Sequence, residues 1–225
     1  MKRKKLVRRI IQYALGLCTM AAGVVLLKRV DLGISPITSV PAAASNVLEG
    51  IYPIMNLGNT TTLLHALCVI GQFIIVRRIT LKGLLTMFVG VPFGQVINLF
   101  MWLFNPGPLG LPLRVVLLVG GLALSGLGVL LIVDADLMLP APDELSHTIS
   151  QVYGKKLSNV KIVSDAVYVA IAIAVDLIFA GKITTVGIGT VLSVLLTGRF
   201  IGWFDKLFPK LRMEPFWDAP GKKSE

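Results

Sequence analysis

Charge is scarce in this chain. Asp, Glu, Lys and Arg make up 15% of 225 residues, against about 25% in an ordinary soluble domain. Only two cysteines are present. Cys18 and Cys68 both fall inside apolar runs, which excludes a disulfide framework and a cysteine zinc site and leaves them as packing residues. There are only two histidines, His65 and His147. At that separation they support no nucleophile–base–orienter set, so an enzyme is not expected. A phosphate loop is missing too, because Gly187-Ile188-Gly189 lacks the preceding strand, the third glycine and the lysine. Neither a cofactor nor a metal is expected.

What the chain has instead is apolar length. Hydrophobic residues make up 55% and the mean hydropathy is +0.80. A spanning helix needs roughly 20 consecutive apolar residues. Six stretches qualify, at about 8–30, 57–76, 83–104, 113–133, 162–180 and 184–204. Unpaired backbone groups are too costly in lipid for anything but helices or a closed barrel. The alternation of a barrel strand is absent. The expectation is an all-α membrane protein with six transmembrane helices, and its first partner is the lipid bilayer.

A net charge of +10 would suit a nucleic-acid binder, but the placement of the charges argues otherwise. With the N-terminus inside, 18 of the 22 Lys and Arg fall on the cytoplasmic side, and only Lys28, Arg29, Arg114 and Lys182 fall outside. That bias is the positive-inside rule. It predicts cytoplasmic N- and C-termini in a bacterial cytoplasmic membrane, with no nucleic-acid partner. The basic start followed by an apolar run resembles a signal peptide. The run is too long and lacks a small-residue cleavage site, so an uncleaved first helix is expected.

The chain also repeats itself. Gly23-Val24-Val25-Leu26-Leu27 matches Gly128-Val129-Leu130-Leu131-Ile132, and Asp31-Leu32 matches Asp136-Leu137, both offset by 105. Pro36 and Pro140, Gly50 and Gly154, and then Gly83, Thr86, Gly94, Ile97 and Phe100 against Gly187, Thr190, Gly198, Ile201 and Phe204, are offset by 104. Each copy holds three spans, and an odd number forces the copies into opposite orientations. The layout is two inverted three-helix repeats, 1–104 and 105–204, followed by a cytoplasmic interfacial tail at 205–225.

Two segments interrupt the simple hairpins. Residues 31–50 contain Pro36 and Pro41, and residues 134–154 contain Pro140 and Pro142. The first is too apolar for a solvated loop and too broken for a span. Both read as Pro-broken half-helices or re-entrant helices starting near the prolines, the first dipping in from outside and the second from the cytoplasm. Paired segments of this kind are the best sequence pointer to a transport site, because a helix end inside the membrane offers free N–H groups and a positive dipole end.

The candidate substrate-binding residues follow from that placement. Ser35, Thr38 and Ser39 are neutral donors and acceptors in the first segment; they would equally satisfy backbone groups around its prolines. Asp143, Glu144 and His147 form the densest polar cluster in the second. The acids would bind a cation, a proton or a substrate amine, or else cap the helix at the cytoplasmic surface. Asp165 stands four residues from Lys161 and is expected to pair with it. Asp176 is the better buried acid of the fifth span, and His65 and Gln72 in the second span are weaker candidates. The glycines Gly90, Gly94, Gly187 and Gly189 read as close-packing surfaces.

Three stretches carry a family likeness: Leu32-Gly33-Ile34-Ser35-Pro36-Ile37-Thr38-Ser39-Val40-Pro41, Pro142-Asp143-Glu144-Leu145, and Val186-Gly187-Ile188-Gly189-Thr190 through Gly198. On these the chain resembles the YczE/YitT-like family of bacterial integral membrane proteins, over nearly its whole length except the tail. Many relatives have an acid two residues after the proline in both halves. Here Thr38 stands in the first half, and the second keeps Asp143 and Glu144. The resemblance implies vitamin-like or amino-compound substrates.

Taken together, these features predict a secondary transporter or exporter of a small polar or amphipathic organic molecule. Two alternatives stand beside it: a non-transporting membrane partner or assembly factor for another protein, and a lipid-handling protein with a groove. A homodimer is left open.

Overall fold

The computed structural model describes residues 2–211. Among them every regular element is helical: α1 (Lys2–Val30), α2 (Pro36–Leu48), α3 (Leu57–Val76), α4 (Leu81–Leu103), α5 (Leu111–Ala135), α6 (Ala141–Val152), α7 (Leu157–Val175) and α8 (Ile188–Leu207). A π-helical turn, Asp176–Ala180, prolongs α7. Six helices are long and apolar enough to cross a membrane, namely α1, α3, α4, α5, α8 and α7 with its extension. The chain is a multi-pass membrane protein. The sixth span begins at Ile188 rather than near 184, and runs on to Leu207, inside the segment expected as tail. Residues 212–225 of that tail lie outside the described residues.

Local chemistry sets the helix ends, and does so twice over. α1 stops at Asp31 (φ 53°) and α5 stops at Asp136 (φ 48°), both left-handed. Asp tolerates that conformation better than most side chains. α3 stops at Arg77 (φ 56°), and α7 with its extension stops at Gly181 (φ 67°). These two pairs are separated by 105 and 104 residues, the same offsets as the sequence matches.

The core is the crossing of α1 with α5. It depends on glycines spaced seven apart, Gly16 and Gly23 on one helix and Gly121 and Gly128 on the other. A methyl group on Gly16 would sit 3.0 Å from the Gly128 carbonyl oxygen, and one on Gly23 would sit 2.7 Å from that of Gly121. Low numbers meet high numbers, so the two helices are antiparallel. Bare backbone at these positions lets the helices approach closely, which in lipid takes the place of a hydrophobic driving force. Val25, Leu27, Leu122 and Ile132 complete the seam, each 1% exposed or less.

The two halves interlock through their short helices. α2 packs on α7 and α3, while α6 packs on α3 and α7. Each short helix therefore bridges its own half to the other. The long hairpins differ. α3 and α4 are closely packed, with Gly58 against Gly94 and the Gly58 N–H donating to Asn98 Oδ1 at 2.9 Å. α7 and α8 barely touch. The residue 104 positions after Gly58 is Ile162, whose branched side chain forbids the same approach, and Gly198, the counterpart of Gly94, has nothing within 4 Å of its missing side chain.

Candidate functional site

α2 begins at Pro36, where the missing N–H costs nothing and the fixed φ suits a first helical residue. Ser35 at the N-cap makes no side-chain bond to the helix backbone. Its hydroxyl instead pairs with Thr38 Oγ1 at 2.8 Å, and Ser39 Oγ donates to the Pro36 carbonyl at 2.5 Å. Pro41 does not break the helix, which runs through it to Leu48. The carbonyl of Pro41 accepts from Thr60 Oγ1 on α3 at 2.9 Å. The first turn of α2 is thus neutral, buried and only partly capped, with its positive dipole end turned inward.

α6 begins the same way, at Ala141-Pro142 after Pro140. Asp143 and Glu144 in its first turn favour the dipole but point in different directions. Asp143 accepts from Lys161 Nζ of α7 at 2.5 Å. Lys161 also lies 3.3 Å from Asp165, the expected i,i+4 pair, off the hydrogen-bond axis. Glu144 is 6% exposed and accepts from Lys82 Nζ of α4 at 2.9 Å, while its Oε2 has no hydrogen-bond partner among the described residues. α6 is therefore held by one ion pair to α4 and another to α7.

The two first turns meet at a small cavity of about 20 Å³, room for roughly one water molecule. Ile37, Thr38 and Pro41 wall it from α2, and Pro140, Pro142 and Asp143 wall it from the α6 side. α3 contributes Thr61 and His65, and α4 contributes Phe93 and Ile97. Of the residues singled out from the sequence, Thr38 and Asp143 are brought together here. Ser35 and Ser39 flank Thr38 in the same turn without lining the cavity. Glu144 turns away toward α4, and His147 sits half-buried one turn further along α6.

Asp176 occupies a different place. It is fully buried, and its carboxylate accepts four hydrogen bonds: from the Thr184 and Thr185 backbone N–H groups at 2.7 and 2.8 Å, and from both hydroxyls at 2.9 Å. Thr184 Oγ1 in turn accepts from Asn46 Nδ2 of α2, and Asn46 Oδ1 accepts from Lys28. This network ties the α7–α8 link to the C-terminal end of α2. It also explains why α8 begins later than expected, since Thr184 and Thr185 are bound to Asp176. In the same region Gly33 and Gly187 let two links cross, as a methyl group on Gly187 would lie 2.6 Å from the Leu32 carbonyl oxygen.

Sequence alone makes His65 a weak candidate, yet it lies in the cavity wall. The signal that would have raised it is Gly90, whose bare Cα leaves room for the ring: a methyl group there would lie 3.3 Å from His65 Nδ1. Sequence spacing relates Lys161 to Asp165 and not to Asp143, its closer partner. Among the described residues no group of three or more His, Cys, Asp or Glu is placed to hold a metal ion. Chemically, the cavity combines one carboxylate, one imidazole, two hydroxyls and two helix N-termini inside apolar walls.

Residues 7–206 match the model of a family of unknown function, DUF6198, and the chain belongs to that family. Neither the curated proteins nor the solved structures contain a match to it.

Proposed function

We propose that the chain is a secondary transporter that moves a small polar or amphipathic organic molecule, vitamin-like or an amino compound, across the bacterial cytoplasmic membrane. The observation that carries this reading is the cavity walled by the first turns of both α2 and α6. Two helix N-termini converging between antiparallel halves is how transporters built from inverted repeats form a midplane site. Further support comes from the antiparallel α1–α5 crossing, from the helix stops recurring at 104 and 105 residues, and from the exchange of short-helix contacts between halves. The resemblance to YczE/YitT-like proteins agrees with a bacterial membrane location.

On this reading the two repeats are inverted, α2 enters from outside and α6 from the cytoplasm, and both termini are cytoplasmic. A cavity this small corresponds to an occluded state. Alternating access then consists of α2 withdrawing from the cavity toward one face and α6 toward the other. Asp143 faces the cavity and would hold a substrate amine or a coupling cation, with Thr38 opposite it.

The test is side-specific chemistry. With Cys18 and Cys68 replaced by Ala, Thr38→Cys is introduced and protein in sealed vesicles is treated with a membrane-impermeant thiol reagent from either side. Modification from both faces, slowed by a substrate found through a panel of vitamins and amino compounds, is expected. A site closed to the reagent from both faces would instead favour a packed, non-transporting partner protein. Reporter fusions after Glu225 and within 50–56 check the orientation, and a periplasmic C-terminus would rule out the inversion.

A further inference from the structure

The cavity is bordered by an imidazole to which no described residue hydrogen-bonds. His65 is 5% exposed, and its ring stacks on Phe93 with centroids 5.5 Å apart and planes inclined by 17°. Its Nδ1 edge lies against Gly90 of α4. Among the described residues it makes no hydrogen bond, and the ring borders the cavity that Asp143 lines from the other side. A buried polar ring normally finds a partner. His65 borders the cavity, and that is where a hydrogen-bond partner can reach its ring.

The charges around it indicate what binds. From α6, Asp143 shares the cavity with His65. From α7, Lys161 pairs with Asp143 at 2.5 Å and with Asp165 at 3.3 Å. Tyr168, also on α7, has its hydroxyl 3.6 Å from Cys68 Sγ on α3, one turn along from His65. α4 faces His65 with Gly90 and Phe93, neither of which is charged. Glu144 and Lys82 form their own neutral pair on the other side of α6. The group next to His65 therefore contains two carboxylates and one ammonium, and is one positive charge short of neutral. Lys161 is 36% exposed, Asp143 26% and Asp165 20%, so the group is part-solvated, and its net negative charge favours a further positive charge beside it.

We propose that His65 and Asp143 form a proton-binding site, in which a proton taken up on the His65 imidazole supplies the missing charge to the Asp143–Lys161–Asp165 group. The step is a simple protonation: a ring nitrogen lone pair takes H⁺ from water reaching the cavity, and the imidazolium then shares that cavity with the Asp143 carboxylate. In this closed form the cavity has room for about one water molecule, enough for a proton carrier. This inference rests on the transport reading only for its use: if the chain transports, the proton is the coupling ion, because loading His65 weakens the hold of Lys161 on Asp143 at the first turn of α6.

The test reads the proton and not the flux. Full-length protein with ¹⁵N-labelled histidine is placed in lipid nanodiscs. The two histidine signals are assigned with His147→Gln, and His65 is titrated between about pH 4 and pH 9. Asp143→Asn should lower the proton affinity of His65 about tenfold or more, and Lys161→Gln should raise it. If Asp143→Asn does not fold, Asp165→Asn removes charge from the same group and must shift the midpoint in the same direction. A His65 that never titrates in that range, or a midpoint unmoved by these variants, overturns the proposal. The transport reading has its own arm. Vesicles in which a pH gradient drives no uptake of any panel compound, together with a His65 midpoint that does respond to Asp143, would retain the proton site and remove transport.

Discussion

α2 and α6 have the same backbone form and opposite chemistry. Each follows the first long helix of its half, starts at a proline-marked turn, and brings that turn to the same cavity. α2 carries no charged residue from Pro36 to Leu48 and is fixed by small side chains packed against α7 and by hydroxyl bonds such as Thr60 to the Pro41 carbonyl. α6 carries two acids and is fixed by Lys82 and Lys161. Packing contacts hold at any charge state, whereas an ion pair is lost when either partner is neutralised. The two ends of the cavity are thus closed by forces with different sensitivities. Neutralising Asp143 and Glu144 loosens the first turn of α6, whereas the first turn of α2 has no charge of its own to lose.

Breaking the α6 ties should give the largest effect. Lys82→Met leaves the Glu144 carboxylate buried with neither oxygen paired and should cost about 3 kcal/mol of stability, the low end for a broken buried pair because Lys82 is itself part-exposed. Adding Glu144→Gln should restore most of it, measured as thermal unfolding in a single detergent. If the single variant is as stable as the parent, α6 is not held by charge.

On the α2 side the corresponding change is Asp176→Ala. It removes the acceptor of four hydrogen bonds and strands the Thr184 and Thr185 N–H groups, for about 2 kcal/mol. Hydrogen exchange should rise at 183–187 and at the C-terminal end of α2, with α6 unchanged. Exchange that rises equally in α6 would mean that the two ends are not independent.

The two long hairpins sharpen the same contrast between halves. Gly94→Ala drives a methyl group into Thr62 Oγ1 and the Gly58 carbonyl and should cost about 1–3 kcal/mol. Gly198→Ala, at the equivalent place on α8, meets open space and should stay within about 0.5 kcal/mol of the parent. Equal costs would show that α8 is covered by something beyond this chain.

The smallest expected change is Thr38→Val. It keeps the shape and removes the bond to Ser35, worth about 1 kcal/mol or less. Asp143→Asn should likewise fold, since Lys161 keeps Asp165 as a partner, yet it should alter the behaviour of the cavity more than Thr38→Val does. Thermal stability and thiol accessibility measured side by side separate the two effects.

The spans were legible because hydropathy is a property of long windows, and boundaries fell within a few residues wherever a cap or a charge marks them, as at Asp31 and Arg77. The start of α8 was not legible, because Thr184 and Thr185 answer to Asp176 across a turn that no periodicity reveals. A site between the two proline-marked segments was the expectation from the repeat, but which of their side chains face the cavity that their first turns share was not legible. The place of His65 in the cavity wall was not legible either, because it depends on how α2, α4 and α6 pack on α3. Lys161 illustrates the same limit. Its partner four residues on could be read along one helix, while its shorter bond to Asp143 depends on how α6 meets α7.

The α1–α5 crossing also bears on the order in which the protein is made. The glycines of α1 have no matching surface until α5 exists, and 111 − 30 = 81 positions separate the end of one helix from the start of the other. At ordinary synthesis rates that is roughly ten seconds. During that interval α1 waits in the bilayer while α3 and α4 can already close on each other through Gly58 and Gly94. The ribosome thus delivers a finished hairpin first and the central seam second. Any chaperone or insertase attending this chain must shield a helix whose partner has not yet been translated.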